Sequence, residues 1–272
     1  MSSVKSIFVS VLLLFSMKSF GESESGCLEG DLSIIHQYEQ GNDAEFRGNI
    51  ESIQCKTHPQ HEDIVFASYI RSQHKTERHQ NYLWRVLLLD SPSGKVISSY
   101  KDVIVEGGDT EIKSTSIQLD TARYYLDDNT RALGIRLNVG TAPRCANFLV
   151  DDYLTLFVQD GDNLKPVLKN MPTYFWYLAE GDHCNDYQGV IKERTVKTVL
   201  HLLNSDSNGF RDIRLSNKIE EMTHYKYNDE QVETKRVNKV IKYNGVQYFI
   251  PQGTFSFFDG NYENIGSSKY NR

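Results

Sequence analysis

Apolar residues along this chain come in short runs rich in Val, Ile, Tyr and Phe, each closed by a turn signal. That pattern predicts β-strands. The first clear runs are 64–70 (IVFASYI) and 82–89 (YLWRVLLL). The segment 90–94 (DSPSG) turns the chain, and 95–105 (KVISSYKDVIV) returns. A polar corner at Asp127-Asp128-Asn129 precedes a strand over 133–139. Strands over 153–159 and 164–168 flank Asp160-Gly161-Asp162-Asn163, a hairpin signal because Asp-Gly tolerates the positive φ of a tight turn. Strands over 195–203 and 212–215 flank 204–211, and strands over 239–243 and 246–250 flank Asn244-Gly245. Helical periodicity is scarce, with single turns expected at 120–125 and 217–222.

Some fifteen short strands at hairpin spacing define an all-β chain. The spacing favours a β-propeller of four to six blades, with a β-sandwich or two packed β domains broken near residue 145 as the alternative. No Pro/Ser-rich linker interrupts the interior, so residues 22–258 read as one β-rich domain and 259–272 as a polar, frayed tail.

The N-terminus changes the picture of compartment. Lys5 precedes the apolar run 7–17 (IFVSVLLLFSM), and Ser19 and Gly21 put small residues at −3 and −1 of a cut before Glu22. Residues 1–21 therefore read as a signal peptide, and the mature chain as periplasmic or secreted. No stretch reaches the ~18 apolar residues of a membrane-spanning helix. Cleavage takes away Lys5 and Lys18 and no acid, moving the formal charge from −6 to −8. That acidic balance argues against binding nucleic-acid phosphates. Cys27, Cys55, Cys145 and Cys184 all survive cleavage, and an even count in an exported chain predicts disulfides. Three pairings are possible. The grouping favours Cys27–Cys55 and Cys145–Cys184, each worth ~3–4 kcal/mol in the chain-entropy picture.

Candidate chemistry is sparse. The segment 204–212 (NSDSNGFRD) resembles the calcium loops of integrin-type propeller repeats, which run D-x-D-x-D-G-x-x-D between two strands. The resemblance implies a structural Ca2+ held by Asn204, Asp206, Asn208, the Phe210 carbonyl and Asp212, since calcium takes six to eight oxygens. Two acids of the pattern are Asn here, and the other reading is a plain hairpin turn. His58, His61, His74 and His79 fall close together, but 64–70 would hold the two pairs over 20 Å apart if it is a strand. They read as solvated loop histidines. There is no G-x-S-x-G elbow, phosphate-cradling glycine loop or H-E-x-x-H, so no catalytic residue is assigned. Tyr174-Phe175-Trp176-Tyr177 is either a core strand with alternating faces or an aromatic rim of Tyr174, Trp176 and Tyr177 beside the acidic stretch 180–186. A rim of that kind suits a basic protein partner or a glycan.

The runs 120–137 (DTARYYLDDNTRALGIRL), 154–168 (LTLFVQDGDNLKPVL) and 244–250 (NGVQYFI) resemble a loose group of exported β-rich proteins of Gram-negative bacteria with no assigned activity. The resemblance implies compartment and fold rather than chemistry. The leading expectation is a periplasmic, non-enzymatic binding protein, an inhibitor or immunity protein against a cell-wall-active enzyme, with the −8 charge steering it to a basic target. A secreted or periplasmic glycan hydrolase and an envelope protein stabilised by calcium are the alternatives.

Overall fold

The computed structural model describes residues 25–42, 48–73, 80–182, 184, 189–225 and 228–250. Residues 1–21, read from the sequence as a signal peptide, residues 259–272, His74, His79 and His183 lie outside them. The elements are α1 (Glu29–Asn42), β1 (Ile50–His58), β2 (His61–Ser72), β3 (Gln80–Asp90), β4 (Lys95–Glu106), β5 (Ile117–Tyr125), β6 (Arg131–Leu137), β7 (Phe148–Asp160), β8 (Asn163–Glu180), β9 (Val190–Ser207), β10 (Phe210–Tyr225) and β11 (Asn228–Ile241). Among the described residues the fold is all-β apart from α1. The eleven strands form one sheet, ordered β1-β2-β3-β4-β8-β7-β6-β5, with β9, β10 and β11 added in turn beside β8. The propeller arrangement is not confirmed in this sheet, and the strands are fewer and longer than the expected fifteen.

Strands β2 and β3 carry almost unbroken buried runs because both their faces are covered. Phe66, Ile70, Trp84, Val86 and Leu88 point into a core shared with Ile117, Leu133, Ile135, Phe157 and Leu164 of β5 to β8. The intervening residues Ala67, Tyr69, Leu87 and Leu89 pack under α1 with Ile35 and the Cys27–Cys55 pair. The first core lies where the sheet curls. Ser52 of β1 donates its hydroxyl to the Ser114 carbonyl (3.0 Å) and accepts the Ile117 N–H (3.3 Å). That contact brings β5 back to β1 without a ladder, and the sheet is not closed into a barrel.

The hairpin at 161–162 and the corner at Asp127 form as expected. Asp127 Oδ1 accepts the N–H groups of Asn129 and Thr130, both at 2.7 Å. Asn244-Gly245 also turns the chain, but only the bridge Tyr243–Tyr248 joins its arms. The single helical turns expected at 120–125 and 217–222 are strand, in β5 and β10. Ladder pairing holds both segments extended, β5 against β6 and β10 between β9 and β11. Both favoured disulfides are present, Cys27–Cys55 with Cα atoms 4.7 Å apart and Cys145–Cys184 with Cα atoms 5.4 Å apart.

The sequence pattern missed α1 because its buried stripe is Asp31, Ile35 and Glu39, two acids around one apolar residue. Asp31 closes the helix start by accepting the Leu28 N–H at 2.9 Å. Glu39 docks the helix. Its side chain is 2% exposed, and it takes Arg85 Nε of β3 at 3.2 Å, Arg71 Nη1 of β2 at 3.3 Å and the Tyr69 hydroxyl. Arg85, itself buried, lies 5.2 Å from the centre of the Tyr38 ring. A buried charge is tolerated only when it is paired and hydrogen-bonded, and here each partner supplies that for the other. Glu39→Ala is expected to lower the unfolding free energy by about 3–5 kcal/mol, because it strands the buried Arg85. The exposed Glu29→Ala should cost less than about 1 kcal/mol in the same urea titration.

Candidate functional site

Strand β8 leaves one sheet neighbour for another part-way along its length. Near its start it meets β4 in parallel, through Ser99 and Asn163. From Tyr174 onward the same edge is paired antiparallel with β9. Between these lies a crease. Asn170 sits at a left-handed φ of 48°, with its N–H and side-chain oxygen both on the Thr155 hydroxyl. Pro172 follows, and Asp152 opposite has a φ of 54°. Arg136 of β6 ties the crease together. Its Nε reaches Asp120 Oδ2 and its Nη1 reaches Asp152 Oδ2, both at 2.8 Å, and Nη1 also donates to the Thr173 hydroxyl at 2.9 Å. Burial opposes the charge on Arg136, but Asp152 and then Asp120 overcome it and hold the guanidinium above its ordinary value.

Past the crease, β7, β8, β9, β10 and β11 lie side by side, and their register defines two faces. Directly opposed residues of antiparallel strands share a face. The inner face carries Phe175 with Val196 and Ile219, and Tyr177 with Arg194 and Glu221. Tyr177 is therefore core-facing: it is 5% exposed, its hydroxyl accepts Arg194 Nη1 at 2.8 Å, and it does not belong to a surface rim. Tyr174 and Trp176 are half-buried on the outer face. The alternation of a strand separates them from Phe175 and Tyr177. Trp176 Nε1 donates to Glu193 at 3.2 Å.

One outer row reads Asp151, Tyr174, Lys197, Lys218, Arg236 from β7 to β11. The rows on either side read Val199, Ser216, Asn238 and Leu149, Trp176, Thr195, Glu220, Thr234. Beyond them lie His201, Arg214, Val240 on one side and Glu193, Met222, Val232 on the other. Val199 and Val232 are each 56% exposed. Lys218 Nζ meets Glu220 at 2.7 Å, and Lys218 first, then Lys197, holds that carboxyl below its usual range. Leu149, opposite Trp176, also lines a cleft of about 260 Å3 with Asp109, Thr141, Tyr153, Asn170 and Pro172.

The cationic row was not legible in the sequence, and the reason is a bulge. A hairpin folded without interruption on Asn208-Gly209 sets Lys197 against Glu220. Between Arg211 and Ile213 the register slips by two residues, and Lys197 faces Lys218 instead. Like charges directly opposite cost stability.

The proposed calcium loop is a two-residue turn, Asn208 (φ 52°) and Gly209 (φ 92°), between strands that run to Ser207 and from Phe210. Asp206 pairs with Arg211, so strand alternation puts Asp206 and Asp212 on opposite faces. Asp212 accepts the Ser205 hydroxyl at 2.8 Å, and the Asn208 amide donates to the Tyr243 carbonyl at 2.8 Å. Asn204 lies in the bulged stretch, exposed. The five residues do not converge on one point. Among the described residues no group of three or more His, Cys, Asp or Glu is placed to hold a metal ion.

No family model, curated protein or solved structure matches this chain.

His58 and His61 stack across the β1–β2 turn with ring centres 5.0 Å apart. Burial, then His61, then Arg131 push His58 down from 6.5 to about 4. Unfolding restores the higher value, so the contribution of neutral His58 is full above about pH 6.5 and is lost as pH falls toward 4. Thermal melts of the wild type should fall over that interval. His58→Gln should flatten the fall, and an unchanged slope would remove His58 as its cause.

Proposed function

We propose that the protein is an exported, non-enzymatic binding protein that holds its target on the outer face of β8 to β11. The observation that carries this reading is the row Tyr174, Lys197, Lys218, Arg236. A register that opposes like charges on an exposed face works against folding. Such a face is accounted for when a ligand adds negative charge beyond the one carboxylate, Glu220, that meets Lys218. The half-buried aromatics beside it are the residue types that dominate binding surfaces.

Two disulfides fit an oxidising compartment. No helix among the described residues is long and apolar enough to cross a membrane. The buried ionic clusters serve the fold: Glu39 fastens α1, and Asp120 and Asp152 grip one guanidinium. A glycan hydrolase needs an acid and a base or nucleophile ~5–10 Å apart across the scissile bond. Asp120 and Asp152, which the fold brings together, face Arg136 instead. The sign of the face also departs from the basic target that net charge pointed to, because a local row of cations selects an acidic partner whatever the total charge.

The test is retention on isolated cell-envelope material from the producing cells. The wild type should co-sediment, and the triple variant Lys197→Glu, Lys218→Glu, Arg236→Glu should stay in solution. A control with the same charge change elsewhere, Lys56→Glu, Lys95→Glu, Lys242→Glu, should still co-sediment. Retention of the face variant, or no retention of the wild type, contradicts the reading.

A further inference from the structure

We infer that the occupant of the β8–β11 face is an anionic glycan, a sugar chain bearing carboxylates. This rests on the docking reading above and names the ligand class for the same face. The chemistry runs across the strands. Tyr174 and Trp176, two residues apart on β8, present neighbouring aromatic surfaces at one side of the face. An aromatic ring has a negative face, which attracts the C–H groups on the flat side of a sugar ring. From Tyr174 the row continues through Lys197, Lys218 and Arg236, with side-chain roots about 5 Å apart from strand to strand. That sequence of an aromatic and then evenly spaced cations matches a chain whose rings carry a charge at intervals.

The flanking rows decide between polyanions. Thr195, Glu220 and Thr234 lie on one side, and Ser216 and Asn238 on the other. Hydroxyl, amide and carboxylate groups are partners for a ligand rich in hydroxyls. Single-stranded nucleic acid also combines stacking with cations, but it stacks successive bases along its whole path, whereas the two rings here stand together on β8 at one end of the cationic row. A lipid surface asks for a flat cationic patch with apolar residues at its centre. Here the exposed Val199, Val232 and Val240 lie outside the central row.

The probe is an oligogalacturonate titrated calorimetrically into the full chain with both disulfides intact, beside a neutral malto-oligosaccharide, single-stranded DNA and anionic phospholipid vesicles. Saturable binding to the oligogalacturonate is expected, tighter than to the other three and weakening as salt is raised. Tyr174→Ala and Trp176→Ala should each weaken it roughly tenfold, the scale of losing one stacked ring. Lys197→Gln and Arg236→Gln should each weaken it roughly fivefold, while Lys197→Arg keeps most of the affinity. Melting temperatures well above the titration temperature for each variant separate lost binding from lost folding. No oligogalacturonate binding, binding indifferent to these substitutions, or preference for DNA, vesicles or the neutral sugar overturns the assignment. If the charge-reversed face variant still loses the envelope while oligogalacturonate fails, the glycan assignment falls and the docking reading stands.

Discussion

The guanidinium of Arg136 is the point on which the rest of this architecture turns. Strand β8 must serve two neighbours, β4 before the crease and β9 after it, and a strand cannot bend between them without a break in its ladder. The break is made by Asn170, Pro172 and Asp152, two of them at positive φ, a conformation that costs of order 1 kcal/mol or more outside glycine. Arg136 fastens strands β5, β6, β7 and β8 there through Asp120, Asp152 and Thr173. Charge-assisted hydrogen bonds of 2.8–2.9 Å in a half-buried setting outweigh that strain. Arg136 thereby braces the crease beyond which the outer face lies.

Two further charges act in the same way at the other end of the molecule. Glu39 and Arg85 are each buried, and each is tolerated because the other is present. One network pins a helix on the sheet and the other fastens four neighbouring strands of it at the crease. The cationic row differs from both. Its members are at the surface and lie opposite like charges, with Glu220 on Lys218 as a counter-charge beside the row. The contrast separates charge that stabilises the fold from charge that the fold displays.

Much of the fold could be read from periodicity. Turns at Asp90–Gly94, Asp127–Asn129 and Gly161 come from local turn chemistry, and the disulfides from the grouping of four cysteines. The helix α1 could not, because its buried face carries Asp31, which caps the helix start, and Glu39, whose partners lie 30 or more residues away in the sheet. The site was half legible. Tyr174 and Trp176 stood out as a dense aromatic segment, and strand alternation removed Tyr177 from it. Lys197, Lys218 and Arg236 are unremarkable in three separate segments. They align only through a two-residue slip that no local pattern announces. The nine-residue motif with the calcium resemblance is strand on both sides of a two-residue turn.

The claim that Arg136 holds the crease, and through it the display of the outer face, is tested most directly by amide hydrogen exchange of Arg136→Met beside the wild type. Removing the guanidinium leaves Asp120 and Asp152 without their shared counter-charge, a loss of about 3 kcal/mol. Exchange should accelerate first over 148–152, 170–178 and 190–197, where β7, β8 and β9 meet, while amides of β2 and β3 stay protected. Unchanged protection over 170–197, or an equal loss in β2 and β3, would contradict the account.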